Sequence, residues 1–236
     1  MTLMPRAQRR ATADHRTTVL ITGFGPFPGV PVNATMRLLP QLARAAPKLF
    51  PDVRFAIEVL PTEWEAGLRR LQLVLDEARP DLALHFGVSS RARGFEIEQR
   101  ARNVCAATPD ACGGLPASHM LLPGGVDYLP ASLPVRHVVA RLRRLRIPAF
   151  ASRDAGAYLC NAALYRSLVC AKDARRRVGF VHIPATLAQL GGPNRGRSGA
   201  CPLTWEQALL GALEILDVCL ARPAMVRKVR AMVAAL

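Results

Sequence analysis

Short apolar runs alternate with helical patterns along this chain, and that alternation restricts the fold to one class. The run TTVLITGF (17–24) is rich in β-branched residues, as expected of a buried parallel strand. The segment 63–80 places an apolar residue every three or four positions and stops at Pro80, which predicts a helix. DLALHFGV (81–88) follows as a second apolar run, so the chain begins with a β-α-β pattern.

The same alternation continues to the C-terminal part of the chain. A helical pattern ending near Arg146 precedes VGFVHIPA (178–185), which is predicted to be a further strand. TWEQ then predicts a capping box, with Thr204 before the helix and Gln207 at its third position. We therefore predict an α/β fold, a single-domain three-layer α/β/α sandwich with a mostly parallel twisted sheet.

The remaining composition points to one globular domain. We expect residues 1–17 to be a flexible basic tail or an overextended start, and 18–236 to form a single α/β domain. No apolar run reaches the roughly 18 residues of a membrane helix, and no apolar segment of a secretory signal follows the basic start. We accordingly expect a cytoplasmic protein with no membrane partner. Six cysteines without a CxxC pair suit reduced thiols better than a zinc site.

The charge is strongly basic, at +15, but its distribution does not favour nucleic acid as a partner. Arginines account for most of the basic residues and are scattered along the chain. In the densest run, 136–146, most arginines lie off the apolar stripe that contains Val138 and Leu142. We interpret this run as a solvated helix face and expect no nucleic-acid binding.

Three loop segments carry distinct signals. The stretches 111–134 and 187–202 are rich in glycine and proline, and long loops of this kind are functional or mobile. GFGPFPG (23–29) is not a phosphate-binding loop, because its glycines do not fit the pattern and its prolines lack N–H donors. We interpret it as a turn that carries two exposed or half-buried aromatic rings, Phe24 and Phe27.

Cys160 lies in DAGAYLCNAALY (154–165), where a turn containing Gly156 gives way to a helical pattern. The N–H groups and positive dipole at a helix start favour a thiolate, which would make this cysteine reactive. A small buried residue is the more common role for a cysteine taken alone. The residues by themselves therefore leave packing and catalysis both open.

Two histidines and two glutamates compete as partners of such a cysteine. His85 and His182 both fall near the C-terminal ends of predicted strands, where open α/β sheets gather their ligand sites. Glu96 and Glu98 face the same side if their segment is a strand, and surface ion pairing is the alternative role for both. Position along the chain does not choose between the members of either pair.

Several ordered segments resemble the motifs of a known family, the pyroglutamyl peptidase I family of cysteine peptidases, also called pyrrolidone-carboxylate peptidases. The resemblance extends over residues 18–220 and rests on VLITGFGPFPGVPVN, LPTEW, FGVSSRARGFEIEQRARN, AGAYLCNAALY and GFVHIPA. It implies removal of an N-terminal pyroglutamate from peptides by way of a thioester.

The resemblance also implies roles for individual residues. Cys160 matches the family's nucleophile, His182 its base and Glu98 its orienting carboxylate. The family motif selects Glu98 over Glu96 in two ways. The number of residues from Gly87 to Glu98 matches the motif, and so does the position of Asn103 after it. Phe24, Phe27 and Tyr158 match aromatic residues that line the pyroglutamate pocket.

The family implies no metal and no cofactor, and its substrates are N-terminally pyroglutamylated peptides. It also implies a homo-oligomer, a dimer or a tetramer. The chain departs from the family pattern at Pro28, at Val88, where many members have glutamine, and at Thr108, where many have arginine. Two alternatives therefore accompany the peptidase hypothesis. One is a relaxed acyl-amide hydrolase with the same triad, and the other is a catalytically weak relative that uses its charge to bind an acidic partner or nucleic acid.

Overall fold

The computed structural model describes residues 16–171, 176–189 and 201–221, in which strands and helices alternate. The strands are β1 (Thr18–Phe24), β2 (Arg54–Leu60), β3 (Leu82–Ser89), β4 (Phe95–Glu98), β5 (Arg100–Arg102), β6 (Tyr128–Pro130), β7 (Ala149–Ser152) and β8 (Arg177–Pro184). The helices are α1 (Thr35–Leu49), α2 (Trp64–Ala78), α3 (Val135–Arg144), α4 (Leu159–Ala171) and α5 (Trp205–Cys219), with a short 3₁₀ helix at Ala185–Gln189. The predicted strands and helices are all present, with ends shifted by one or two residues.

Six strands form one sheet in the order β2-β1-β3-β8-β4-β7. The pairs from β2 to β8 are parallel, β4 pairs with β7 in parallel, and only the β4–β8 pair is antiparallel. Strands β5 and β6 form a separate antiparallel ribbon. The prediction of a mostly parallel α/β sheet is confirmed.

Helices cover both faces of the sheet, which confirms the three-layer sandwich. Alternate residues of β8 show the division: Val181 and Ile183 pack with α1, α3 and α5, whereas Phe180 packs with α2 and α4. Side chains alternate between the faces of a strand, so His182 lies on the α4 side together with Phe180.

Helix α5 begins as predicted. Two of its acidic residues also change the interpretation of the arginine-rich helix α3. Both hydrogen bonds of the capping box at Thr204 are present. Arg141 of α3 is not part of a solvated face, since its Nη1 donates to Glu214 at 2.9 Å and to Asp217 at 3.0 Å. Both carboxylates are fully buried on α5. The long side chain allows Arg141 to reach them from the edge of the apolar stripe.

Helix α1 and strand β2 are among the elements that were not predicted from the sequence, as are the short strands β5, β6 and β7. Helix α1 contains Pro40 and Pro47, residues that usually mark helix ends, although its apolar face is buried. Strand β2 pairs with β1 along its whole length, yet its residues are only partly covered. Strand β2 forms the edge of the sheet next to β1, and α1 packs against both strands.

Some expectations concern residues at or beyond the described ranges. Of the predicted tail, only Arg16 and Thr17 are described, so the division into a tail and one domain stays a prediction. The loop at 111–134 contains β6, while most of 187–202 lies outside the described residues. Among the described helices, none is long and apolar enough to cross a membrane.

Candidate active site

Strands β4 and β8 and helix α4 bring the three residues of the predicted triad together. Glu98 is the last residue of β4, His182 lies near the end of β8, and Cys160 is the second residue of α4. The Nδ1 atom of His182 is 2.9 Å from Oε1 of Glu98, and both side chains are buried. The second oxygen of Glu98, Oε2, is buried without a hydrogen-bond partner in the described structure.

The environment of His182 favours the imidazolium form. Burial on its own lowers the pKa of this ring, but the charge of Cys160, its hydrogen bond to the ring, and the bond and charge of Glu98 together raise the pKa to about 10. The imidazole thus lies between the Glu98 carboxylate, which orients it, and the Cys160 side chain, to which it is hydrogen-bonded.

Cys160 is half-buried and directly adjoins Gly87. A Cβ atom on Gly87 would lie 2.9 Å from the Cys160 sulfur and 2.7 Å from the ring of Phe180. Gly87 is also the register partner of His182 across the β3–β8 pair. Glycine at this position therefore provides the space in which thiol and imidazole meet.

The next residue, Asn161, fixes the start of α4 to the segment that follows Glu98. Its side-chain oxygen accepts from Arg102 N at 2.8 Å, and its nitrogen donates to Arg102 O at 2.8 Å and Val104 O at 3.1 Å. Asn161 is fully buried. These bonds hold the nucleophile helix at a fixed position relative to the carboxylate strand.

A cavity of about 450 Å³ opens in front of Cys160 and His182, and all three predicted pocket aromatics line it. The rings of Phe27 and Tyr158 lie 6.2 Å apart, and Trp64 meets Tyr158 edge-on at 5.1 Å. For Phe24 the interpretation as an exposed or half-buried ring is wrong, because this residue is buried. It ends β1 on the α4 side of the sheet.

The Tyr158 hydroxyl is held at the aromatic end of the cavity. It donates to Pro109 O at 3.2 Å, and burial is the main reason that its pKa is raised to about 12. The phenol therefore stays uncharged at neutral pH. This end of the cavity suits a small, uncharged group.

A second part of the cavity lining, which we call its polar end, contains charged and hydroxyl side chains. Ser89, Ser90 and Arg91 approach it from the turn after β3, and Glu96 approaches it from β4. Burial raises the pKa of the half-buried Glu96 carboxyl, with the charges of His182 and Arg91 opposing this effect. The cavity lining thus combines aromatic and charged side chains with Cys160 and His182.

The structure separates the competing histidines. His85 is fully buried in the sheet, where its Nδ1 lies 2.7 Å from the Thr22 hydroxyl. Burial lowers its pKa to about 4, so it is a neutral core residue at physiological pH. Of the two, only His182 lines the cavity.

One side-chain cluster in the described structure has the spacing of a metal site. Glu96, Glu98 and His182 each bring a ligand atom to within 4.8 Å of the others. A metal ion at Nδ1 would displace the hydrogen bond between His182 and Glu98, because both use the same atom.

The sequence did not reveal the contacts that Gly87 and Asn161 make in the site, or that Arg91 lines the cavity. Gly87 and Asn161 lie within the quoted motifs, but their contacts join segments far apart in the chain. No role was assigned to Arg91 from the sequence. A charge three residues after the predicted strand 81–88 was the signal available for it.

Comparison with known proteins agrees with this arrangement. The sequence model of the family described as "Pyroglutamyl peptidase" matches residues 17–215. The chain belongs to the pyroglutamyl peptidase family. The resemblance identified from the sequence motifs is thereby confirmed.

Curated relatives and solved structures of this family are similar over most of their length. Pyrrolidone-carboxylate peptidase of Pyrococcus furiosus is 32% identical over 169 residues, covering 70% of this chain and 80% of the relative. The pyrrolidone-carboxylate peptidase of Gloeobacter violaceus is 35% identical over 168 residues, covering 70% of this chain and 80% of the relative. A mutant P. furiosus pyrrolidone carboxyl peptidase superposes with a TM-score of 0.74 at 28% identity, covering 88% of this chain and all of that one. Bacillus amyloliquefaciens pyroglutamyl peptidase I superposes with a TM-score of 0.73 at 25% identity, covering 87% of this chain and 98% of that one.

Proposed function

We propose that this chain is a cysteine exopeptidase that hydrolyses the amide bond after an N-terminal pyroglutamate of a peptide. In this proposal Cys160 is the nucleophile, His182 the general base and Glu98 the orienting carboxylate. The observation that carries it is the buried 2.9 Å contact between Glu98 and His182 beside a cysteine at a helix start, in a chain of this family.

The proposed reaction begins from a thiolate and an imidazolium. The Cys160 sulfur attacks the pyroglutamyl carbonyl, and an S–C bond forms as the carbonyl oxygen takes up negative charge. The C–N bond then breaks, and His182 gives its proton to the departing peptide amine. Water attacks the resulting thioester, with neutral His182 taking the water proton, and free pyroglutamate leaves while the thiolate and imidazolium are restored.

Backbone N–H groups in the first turn of α4 are the proposed donors to the carbonyl oxygen in the transition state. They lie next to the nucleophile and are fixed by the helix, so they need no reorganisation as charge develops. The Asn161 bonds support this role, because they hold that turn in place.

The aromatic end of the cavity is the proposed pyroglutamate pocket. A five-membered lactam ring is small and uncharged, which matches the walls formed by Phe24, Phe27 and Tyr158. Val88 also lines this cavity, where many family members have a glutamine. Loss of an amide from the cavity lining is the observation that favours the alternative of a relaxed acyl-amide hydrolase.

The proposal includes partner and location as the family resemblance implies them. The substrates are N-terminally pyroglutamylated peptides, the protein is cytoplasmic, and it assembles as a dimer or a tetramer. Neither nucleic acid nor a membrane is a partner, and no cofactor takes part.

A panel of coumarylamides tests the substrate class. The purified full chain is expected to release the aminocoumarin from the pyroglutamyl substrate with a kcat/KM at least about 100-fold above that for prolyl and alanyl substrates. A preference for either of the latter would identify the relaxed hydrolase instead. If no substrate is cleaved and the thiol is unreactive toward alkylating agents, the proposed peptidase function is wrong.

A further inference from the structure

The polar end of the cavity contains two charged side chains to which the triad gives no role. Glu96 and Arg91 both line the cavity, and neither side chain has a hydrogen bond or an ion pair within the described part of the chain. Asp154 also lines the cavity but differs, because its carboxylate is paired with Arg102 at 3.0 Å. Glu96 and Arg91 are therefore the charges that remain available to a bound molecule.

Glu96 lies at the inner side of this end. It faces His182 directly in the register of the antiparallel β4–β8 pair, and residues opposed in this way bring their Cβ atoms to about 5 Å. It is half-buried, and its ligand oxygen is within 4.8 Å of a His182 ring nitrogen. Because Glu96 and His182 line the same cavity, a nitrogen that receives its proton from His182 leaves through the space that Glu96 lines.

Arg91 lies at the outer side. It belongs to the turn that leaves β3 at Ser89, where its backbone N–H donates to the Ser89 hydroxyl at 3.2 Å. Its side chain is exposed, yet it contributes to the cavity lining. In the described structure the two side chains form no ion pair with each other, but both line the same cavity, and the Arg91 charge opposes the rise that burial causes in the pKa of the Glu96 carboxyl.

The order of these charges matches the order of atoms in an amino acid leaving the site. The nitrogen comes first, and the carbonyl carbon of the same residue follows about 2.5 Å further out. A carboxylate on the inside complements the N–H of the departing nitrogen, and a guanidinium on the outside complements a carboxylate. A residue inside a longer peptide has an uncharged amide at that outer position.

We propose that Glu96 and Arg91 form a subsite for the residue after pyroglutamate, in which Arg91 binds a free α-carboxylate and Glu96 accepts a hydrogen bond from the departing nitrogen. The preferred substrates are then pyroglutamyl dipeptides with a free C-terminus. The inference rests on the proposed function and specifies its substrate class. The released amino acid leaves with its nitrogen protonated by His182 and its carboxylate unchanged.

The test compares pyroglutamyl-alanine with pyroglutamyl-alanine amide, which differ only in the carboxylate. For the unmodified protein we expect kcat/KM to be about tenfold higher for the acid, the usual effect of a hydrogen bond to a charged group. Arg91→Gln is expected to reduce that ratio to near one, and Arg91→Lys to retain part of it. The ratio within each variant cancels any general loss of activity caused by the substitution.

Arg93→Gln is the matched control. Arg93 is exposed two residues further along, outside the cavity, so its removal lowers the net charge equally and should leave the ratio unchanged. Equal rates on acid and amide in the unmodified protein would overturn the subsite alone, since pyroglutamyl cleavage would persist. Failure to cleave either substrate or the coumarylamide would overturn the proposed function together with the subsite. An equal loss of preference in Arg93→Gln would show that net charge, rather than Arg91, causes it.

Discussion

The Oε1 atom of Glu98 lies 2.9 Å from Nδ1 of His182, and both groups are buried at adjacent strands of the sheet. This contact fixes the ring so that Nε2 is the nitrogen available to Cys160. It also places a negative charge behind the ring, which stabilises the imidazolium.

Replacing Glu98 by glutamine tests the orienting role. The glutamine amide has a similar shape but can present an N–H to Nδ1, which favours the wrong tautomer. We expect kcat/KM for a pyroglutamyl coumarylamide to fall by about 10²- to 10⁴-fold. Glu65→Gln, on the exposed side of α2, is the control and should retain full activity. A Glu98→Gln enzyme of normal activity and normal melting temperature would contradict the role.

Replacing Gly87 by alanine tests the space beside the thiol. The added methyl group would lie 2.7 Å from the Phe180 ring and 2.9 Å from the Cys160 sulfur, so at least one of them must move. We expect kcat/KM to fall by about 100-fold, as a displacement of about 1 Å at a reacting group can cause. In Gly25→Ala the new atom has its nearest contact at 3.7 Å, so that variant should remain active. Full activity in Gly87→Ala would show that the thiol does not occupy this position in the working enzyme.

Replacing Asn161 by alanine tests the anchor of α4. The change leaves Arg102 N, Arg102 O and Val104 O without their buried partner. We expect the free energy of unfolding in urea to fall by about 1–3 kcal/mol, with a loss of kcat as the helix start loosens. Gln41→Ala removes an exposed amide that bonds only Arg37 O, and it should change stability by less than about 0.5 kcal/mol. Equal effects of the two substitutions would contradict the anchoring role.

The raised pKa of His182 predicts a pH dependence of stability. The folded value of about 10 exceeds the ordinary 6.5, so the folded state binds the proton more tightly than the unfolded state. This contribution to stability is complete below about pH 6.5 and is lost as the pH rises toward about 10. Cys160→Ala removes the charge and the hydrogen bond that contribute most to raising the pKa.

The melting temperature of the unmodified protein should therefore fall by several degrees more between pH 7 and pH 10 than that of Cys160→Ala. Differential scanning calorimetry of both proteins in the same buffers measures this difference. Parallel curves would show that Cys160 and His182 do not share a proton in the folded protein.

The sequence predicts the fold class well because the determining signals are local. The run at 17–24, the capping box at Thr204 and the helical pattern before Pro80 all lie within one element each. Helix α1 is harder to predict, because Pro40 and Pro47 suggest breaks that burial of its apolar face outweighs. Arg141 is harder for a different reason, since its partners Glu214 and Asp217 lie more than 70 residues away.

In the candidate site, too, some residues can be identified from their own segment and others only from contacts between distant segments. Helix-start reasoning identifies Cys160 as a candidate from its own segment. The choice of His182 over His85 depends on strand pairing and on the Thr22 hydroxyl that holds His85 in the core, neither of which is visible locally. Glu96 and Glu98 share one face of β4, and only the antiparallel register with β8 gives them different positions relative to His182.

The most direct test of the proposed peptidase is the hydrolysis of pyroglutamyl coumarylamide by the unmodified chain, Cys160→Ala and Cys170→Ala. Both cysteines lie on α4, but Cys170 bonds to Gln72 far from the cavity. We predict that Cys160→Ala lowers kcat by at least about 10⁴-fold and that Cys170→Ala leaves it unchanged. Equal rates in Cys160→Ala and the unmodified protein would contradict the assignment of Cys160 as the nucleophile.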